Sequence, residues 1–311
     1  MRKTLAVAIL AALAFGLAGT PASAFNQPPL NLGLTDILDG ALPGPGTYFT
    51  EYIQGYESGE FKNANGADLG NLGNVLSMNQ FVHVYKHQML GGNLGVDVLL
   101  PLVGISGGDT ISTNPGYLGD LTVGPFLQWF DTKLMGRPFF QRVELDITLP
   151  TGQYDSKYLA NPGSNHWVIE PYYAFTWFIT PQFSTSWRLH YTYSTANDDP
   201  YDGFKAAGVT DIQPGQAFHF NYSFEYEFFK NFRGAIAGYY LKQLSSDDCS
   251  GTVPPGVAAV CGPKEEVFAI GPAAHWIVSP NFSMGLKMAW ETSAENRPEG
   301  TRTTFRMTYK F

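Results

Sequence analysis

Side chains that could hold a metal ion are few in this 311-residue chain. His83 and His87 are four residues apart, which on a β-strand places them on one face about 13 Å apart. That separation is too large for both to bind one ion, so a polar surface role is favoured. The other histidines are isolated in the sequence: His166, His190, His219 and His275. We therefore expect no metal site.

Nucleophilic catalysis needs a histidine beside a serine or cysteine, with a polar group orienting the imidazole. The sequence contains no His-x-Ser pair, and the nearest candidate is His190 with Ser194. Both share the parity of the polar residues of their segment, whereas a hydrolase of membrane lipid needs its serine on the lipid-facing side. We expect that the chain is not an enzyme; a lipid hydrolase built on a membrane barrel is the alternative.

Two pairs of carboxylates have the composition of a general acid and base: Glu144 with Asp146, and Glu225 with Glu227. On a strand, however, residues two apart lie on one face beside the neighbouring strands. Cross-strand ion pairing is therefore the favoured interpretation. The candidate partners are Arg142, Arg188 and Arg233. No phosphate-binding loop or cofactor fingerprint occurs in the sequence, so we expect no cofactor.

The first 24 residues have the parts of a secretory signal peptide. Arg2 and Lys3 form a positive head, and residues 4–19 form an apolar run without charge. The tripeptide Ala22-Ser23-Ala24 is a small-x-small cleavage site. The apolar run is short for a transmembrane helix. We expect export, with cleavage near Ala24.

Composition favours a barrel in the outer membrane and argues against nucleic acid as a partner. The chain has 34 Gly, 23 Phe and 17 Tyr, and aromatic residues are as frequent as charged ones, at 15% each. Many turns and aromatic girdles would use these residues. The formal net charge is −8, and loss of the two cations of the signal peptide would leave about −10. Such a chain repels nucleic acid.

The C-terminal segment has the pattern of a membrane-spanning strand. Its two alternate sets separate large apolar side chains from charges: Phe305, Met307, Tyr309 and Phe311 against Arg302, Arg306 and Lys310. The apolar face would meet lipid and the charged face a wet lumen, whereas a soluble edge strand is the alternative for this segment alone. After residue 24 no run of eighteen apolar residues occurs, so a membrane protein with this sequence is a closed barrel. The terminal Phe311 would engage the barrel-insertion machinery.

Alternation over about ten residues predicts an all-β fold, a closed antiparallel transmembrane barrel of about twelve strands. The predicted strands are 47–57, 75–89, 93–101, 119–130, 138–150, 166–179, 183–194, 216–228, 232–244, 265–278, 281–292 and 300–311. Between the predicted strands, short turns alternate strictly with long links, and the last long link is 293–299. This alternation is typical of outer-membrane barrels, and an even number of strands puts both termini in the periplasm. Glu51 and Lys86 share parity with apolar residues, so either the register slips there or their side chains snorkel.

Charged residues with inward parity would line the lumen. They are Asp97, Asp120, Arg142, Glu144, Asp146, Glu170, Arg188, Glu225, Glu227, Arg233, Lys287, Arg302 and Arg306. A barrel of twelve strands has a narrower lumen than a general porin, so these side chains would pair across it. The expected interior is crowded and selective.

Residues 25–46 form a separate segment before the first strand, with proline-rich ends around several leucines. Thr35 could cap a single helical turn. One interpretation is an N-terminal plug that folds back into the lumen, with the plug candidates Leu32, Leu34, Ile37 and Leu38. The alternative is a disordered periplasmic tail. The predicted divisions are thus a signal peptide over 1–24, this segment, and a barrel over 47–311.

Cys249 and Cys261 are the two cysteines of the chain. In an exported protein, a disulfide that closes one outer loop is the favoured interpretation. Two free thiols or a metal site are the alternatives, and no histidine lies near the two cysteines in the sequence.

A series of short, Gly-rich motifs runs through the chain. They include Gly119-Asp-Leu-Thr-Val-Gly-Pro125, Leu149-Pro-Thr-Gly-Gln-Tyr-Asp155 and residues 31–40, 43–48, 165–167 and 238–243. In this order they resemble the outer-membrane proteins named after the meta-pathway of phenol degradation. The resemblance implies a β-barrel that moves aromatic and other hydrophobic compounds across the outer membrane, and it implies no catalytic residues.

We therefore expect an outer-membrane channel for uptake of a small hydrophobic substrate, surrounded by outer-membrane lipid. Several aromatic residues of the links could form an outer capture surface or simply pack within loops: Tyr117, Tyr154, Tyr158, Trp167 and Tyr201. A barrel whose outer loops bind or shield, without transport, is the alternative function.

Overall fold

The computed structural model describes residues 27–42, 44–61, 70–108, 111–252, 261 and 264–311. Twelve antiparallel strands close into one barrel, which confirms the predicted fold class and strand number. A separate two-stranded sheet lies in the connections. The predicted signal peptide, residues 1–24, lies outside the described residues.

The barrel strands follow one another around the wall. They are β1 (Gly46–Phe61), β2 (Leu72–Met89), β3 (Gly92–Gly107), β4 (Leu121–Leu134), β5 (Arg137–Leu149), β6 (Val168–Phe178), β7 (Phe183–Ser194), β9 (Ala217–Phe229), β10 (Phe232–Gln243), β12 (Glu266–Ser279), β13 (Phe282–Glu295) and β14 (Pro298–Lys310). The small sheet pairs β8 (Val209–Gln213) with β11 (Asp248–Gly251). A short helix, α1, spans Asp202–Ala206. Within the described ranges, none of the helical structure has the length and hydropathy of a membrane span.

Alternating burial explains why these sequences form membrane-spanning strands. On β9 the side chain of Glu225 is fully buried, whereas its neighbours Phe224 and Tyr226 are 45% and 47% exposed. On β13 the buried Lys287 follows the exposed Leu286. The apolar side chains cover the outer face and the charged ones stay inside with partners, which is the pattern of membrane-spanning barrels.

The two positions that break the predicted alternation have different explanations. Glu51 faces outward with Ile53 and accepts a hydrogen bond from the Ser77 hydroxyl at 2.6 Å. The first strand therefore keeps its register there. Lys86 lies within an irregular stretch of the β2–β3 pairing that begins after Val84, so its parity does not continue that of the residues before it.

Short turns lie at one end of the barrel, and long loops dominate the other. Tight turns use Asn231 (φ 69°) and Gly136 (φ 76°), because asparagine and glycine adopt positive φ at low cost. The predicted long link 293–299 is wrong. β13 continues to Glu295 and β14 begins at Pro298, and Asn296 (φ 56°) makes this connection a tight turn.

A small outer layer covers the long-loop end. β8 and β11 pair antiparallel with Cys249 opposite Ile212, and Cys249 is disulfide-bonded to Cys261. Strands of four and five residues are too short for their period to be detected in the sequence. This layer and α1 are therefore the parts of the described fold that the alternation did not predict.

Residues 27–42, here called the lumen segment, run through the inside of the barrel. At the long-loop end, Gln27 donates a hydrogen bond to the Gly215 carbonyl at 2.8 Å. Further along, the Gly40 amide donates to Thr176 Oγ1 at 2.9 Å, and β1 then starts at the short-turn end. The start of β1 and the end of β14 meet at the short-turn end, as predicted. The lumen segment, which precedes β1, runs from the long-loop end to the short-turn end, so Gln27 lies at the long-loop end.

Candidate binding site in the barrel lumen

Inward-facing side chains satisfy the backbone of the lumen segment. Three of its amides donate to the wall: Gly33 to Asn221 (2.7 Å), Leu38 to Glu225 (3.1 Å) and Gly40 to Thr176 (2.9 Å). Its carbonyls accept in return from Gln54, Gln128 and Thr304. A buried extended segment needs such partners because it makes few backbone bonds of its own.

Two carboxylates of the lumen segment bind cations of the wall. Asp39 accepts hydrogen bonds from Arg188 Nε at 2.7 Å and Nη2 at 2.9 Å, with both side chains at most 8% exposed. Asp36 lies 3.8 Å from Lys287 Nζ and 3.5 Å from Arg306 Nη1. Because buried charges are stable only when paired, these contacts fix the position of the segment.

Small inward residues make room for the apolar side chains of the segment. Ile37 is fully buried against Ala237 and Ala273, and Leu32 packs into a cluster around Tyr239. Leu34 is also buried, and Leu38 is partly buried. All four predicted plug candidates thus pack inside the barrel.

A cavity of about 370 Å³ lies between the lumen segment and the long loops. Residues 27–32 and Leu34 form its floor. Its wall on β2 and β3 is largely apolar, with Leu72, Leu76, Met78, Leu99 and Val103. Loop aromatics cover it: Tyr154, Tyr158, Tyr201 and Phe204. Seven charged residues also line it: Asp97, Asp120, Asp146, Glu170, Arg188, Arg297 and Arg302. A cavity of this volume with a largely apolar wall and fixed polar groups fits a small ligand.

A second cavity of about 200 Å³ lies at the short-turn end, lined by Leu38, Phe178, Arg233 and His275 among others. Leu34 borders the first cavity and Leu38 the second. The lumen segment therefore lies between the two spaces.

Two titratable groups in the loops over the first cavity are uncharged near neutral pH. Burial lowers the pKa of His166, and burial raises the pKa of Tyr154. The Tyr154 hydroxyl donates to the Asp199 carbonyl at 2.7 Å and accepts from Asn197 at 3.0 Å. The Tyr154 hydroxyl thus has both a donor and an acceptor partner, whereas Nδ1 of His166 has no hydrogen-bond partner among the described residues.

Most predicted lumen-lining residues have buried or partly buried side chains on the inner face. The buried ones are Asp97, Arg142, Glu144, Glu170, Arg188, Glu225, Arg233 and Lys287, and the partly buried ones are Asp146, Glu227, Arg302 and Arg306. Arg142 pairs with Glu144 at 3.2 Å, and Arg233 pairs with Glu227 at 2.8 Å. Arg188 binds Asp39 of the lumen segment instead of a carboxylate of a neighbouring strand.

Asp120 differs from the other predicted residues because it precedes β4. Its carboxylate accepts from the backbone amides of Gly152 (2.8 Å) and Ser164 (2.7 Å). It therefore organises the loop that covers the cavity, although it also borders that cavity.

Sequence reasoning missed contacts between elements far apart in the chain. The interpretation of His190 and His219 as isolated is wrong: they face each other across β7 and β9, with ring centroids 4.3 Å apart. Glu170 lies beside both rings. α1 and β8 lie between β7 and β9 in the chain, so the distance in sequence between the two histidines does not indicate that they are neighbours in the barrel wall.

The family described as "Putative MetA-pathway of phenol degradation" matches residues 58–307. The chain belongs to this family. The match spans most of the barrel and confirms the resemblance carried by the Gly-rich motifs. No curated protein matches the chain.

The fold is similar to that of a COG4313 outer membrane channel from Pseudomonas putida F1. The TM-score is 0.71 at 18% identity, over 87% of this chain and 97% of that one. Two weaker similarities are to a KdgM porin (TM-score 0.39, 10% identity, 84% and 99% coverage) and to the transport unit of the autotransporter AIDA-I from Escherichia coli (0.47, 9%, 93% and 94%). At these identities the similarity concerns the fold.

Proposed function

We propose that this protein is an outer-membrane channel for uptake of small hydrophobic compounds, aromatic ones in particular. The observation that carries the proposal is the first cavity, which is of ligand size, has a largely apolar wall on β2 and β3 and is covered by loop aromatics. Membership of a family described by phenol degradation supports an aromatic substrate. The similar fold of a protein named as an outer membrane channel supports transport.

In this proposal the lumen segment acts as a plug between the two cavities. Passage from the first cavity to the second requires movement near Leu38, which borders the second, and therefore a change in the Asp39–Arg188 and Asp36–Lys287 contacts. The barrel reaches the outer membrane after signal-peptide cleavage near Ala24 and insertion through its C-terminal strand.

Filling the cavity tests the proposal. Leu99 lines the cavity, whereas the next residue, Leu100, is 37% exposed on the outer face. Leu99→Trp should slow uptake of a labelled hydrophobic aromatic by cells, because the indole occupies the space that the substrate needs. Leu100→Trp should leave uptake at the wild-type rate, because its side chain meets lipid.

The two variants carry the same substitution on adjacent residues, so they control for expression and for barrel assembly. Uptake would be measured at equal amounts of folded protein in the outer membrane, with a strain lacking the protein as baseline. Equal uptake rates for Leu99→Trp and wild type would contradict transport through this cavity. Uptake no faster than the baseline in both strains would also contradict it. Either result would favour a role of the loops in binding.

A further inference from the structure

Glu170, His190 and His219 form a compact cluster on the inner face of three adjacent strands. His190 and His219 are directly opposite each other on β7 and β9, and Glu170 on β6 lies diagonal to His190. Glu170 Oε1 is 2.8 Å from His190 Nδ1, and Glu170 Oε2 is 3.2 Å from His219 Nε2. The possible ligand atoms all lie within 4.8 Å of one another.

The cluster is buried, and three of its four imidazole nitrogens lack a hydrogen bond among the described residues. The histidines are 1% and 0% exposed, and Glu170 is 8% exposed. In the described part of the chain, neither ring nitrogen of His190 makes a hydrogen bond of good geometry, nor does Nδ1 of His219. Leaving such groups unsatisfied costs stability, so the arrangement calls for a further partner.

Charge points to a cation as that partner. The carboxylate of Glu170 contacts both imidazoles, and among described residues no arginine or lysine forms an ion pair with it. Arg188 is on the same strand as His190, but its guanidinium is bound by Asp39 at 2.7 Å. Asp146 supplies a further carboxyl group opposite Glu170 in the β5–β6 register.

The ligand set is that of a transition-metal site. Two imidazoles and one carboxylate bind Zn²⁺ with a fourth position open, at about 2.0–2.2 Å from the metal. Tetrahedral ligands at that bond length are roughly 3.4 Å apart. One possible ligand atom from each of the three residues already lies within 4.8 Å of the other two. Thr192 Oγ1 donates to Glu170 Oε2 at 2.6 Å and orients the carboxylate, as outer partners of metal ligands do.

We propose that Glu170, His190 and His219 bind one divalent transition-metal ion, such as Zn²⁺, in the wall of the lumen. Glu170 borders the first cavity, which gives the ion a path of entry and leaves its open position on that side. The ion links β6, β7 and β9 at one point. This site is independent of the proposed transport function.

Cobalt provides the direct test, because Co²⁺ takes zinc sites and its absorption reports coordination number and ligand type. The full-length mature protein in detergent, stripped with a chelator, should bind one Co²⁺ per barrel with the strong visible absorption of four-coordinate geometry. Zn²⁺ should displace it and raise the unfolding temperature. A spectrum identical to that of Co²⁺ in buffer would overturn the proposal.

Variants identify the ligands. His219→Gln and Glu170→Gln should each weaken Co²⁺ binding by at least about 10-fold, because each removes a ligand. His275→Gln is the matched control, since His275 is also a buried lumen histidine but contacts Arg306. Circular dichroism would verify that each barrel is folded. If both ligand variants bind Co²⁺ as tightly as wild type does, the metal lies elsewhere and the assignment is overturned. A loss of Co²⁺ binding in His275→Gln as large as in the ligand variants would overturn it as well.

Discussion

The contact between Asp39 and Arg188 shows how a single pair of side chains fixes the lumen segment. The guanidinium donates two hydrogen bonds to one carboxylate, the strongest arrangement available to an ion pair. Both groups are shielded from water, so the loss of either leaves an uncompensated charge, which costs about 3–5 kcal/mol. Docking of the segment therefore depends strongly on this pair.

Asp39→Asn should loosen the lumen segment, because the amide keeps the shape of the carboxylate but not its charge. We expect a larger single-channel conductance in planar bilayers and faster cleavage of the segment by an added protease. Asp155→Asn is the control, since Asp155 pairs with Lys157 at 3.8 Å in an exposed loop. Wild-type conductance from a correctly folded Asp39→Asn barrel would contradict this role.

Gly40 occupies a place where a side chain does not fit. A Cβ there would lie 2.5 Å from the backbone of Phe175 and Thr176. Gly40→Ala should therefore displace the segment and lower the free energy of unfolding by about 1–3 kcal/mol, as overpacking does. Gly55→Ala is the control, because nothing lies within 4 Å of its Cβ position. Denaturant unfolding of the two variants measures the difference. Equal unfolding midpoints would show that the lumen segment shifts to accommodate the added methyl group without loss of stability.

At the residue scale, parity predicts which side of the wall a side chain occupies but not its partner. Parity places Glu225 and Lys287 in the lumen because the residues beside them are apolar, and both are buried there. Lys287, however, binds Asp36 and the Thr35 carbonyl, which belong to a segment without regular structure. Alternation carries no information about such a segment, because it has no period.

At the element scale, strand bounds follow from sequence where lipid enforces the pattern. β7 spans Phe183–Ser194, the range predicted from alternation, because apolar side chains occupy all of its outward positions except Thr185. Above the membrane this constraint ends. β8 and β11 are short, and they pair with each other although they are far apart in the sequence. The alternation of residues therefore does not predict the small outer sheet.

The disulfide between Cys249 and Cys261 should stabilise the outer loop and not the barrel. The two cysteines are separated by 12 positions in the sequence. A disulfide that closes a loop of this size contributes roughly 3 kcal/mol by reducing the conformational entropy of the unfolded loop. With Cys249→Ser and Cys261→Ser together, we expect faster proteolysis between β10 and β12 and an unchanged unfolding temperature of the barrel. A lower barrel unfolding temperature would show that β11 supports the wall.

At the scale of the whole molecule, the pairing of the first and last strands closes the barrel. β1 and β14 pair from Tyr48 opposite Lys310 to Tyr56 opposite Arg302, so no strand edge is left open to lipid. Phe311 adds little to this closure. Its amide donates to the Thr47 carbonyl at 2.9 Å, but its ring is 71% exposed.

If the barrel-insertion machinery recognises the C-terminal strand, as we expect, Phe311 contributes to assembly more than to stability. Deletion of Phe311 should change the unfolding free energy of the barrel refolded in detergent by less than about 0.5 kcal/mol, as surface changes do. The amount of folded barrel in the outer membrane of cells should fall severalfold. Phe228→Ala removes another exposed ring (65%) on β9 and should not affect assembly. Equal losses in both variants would mean that the ring acts through contact with lipid and not through recognition of the chain end.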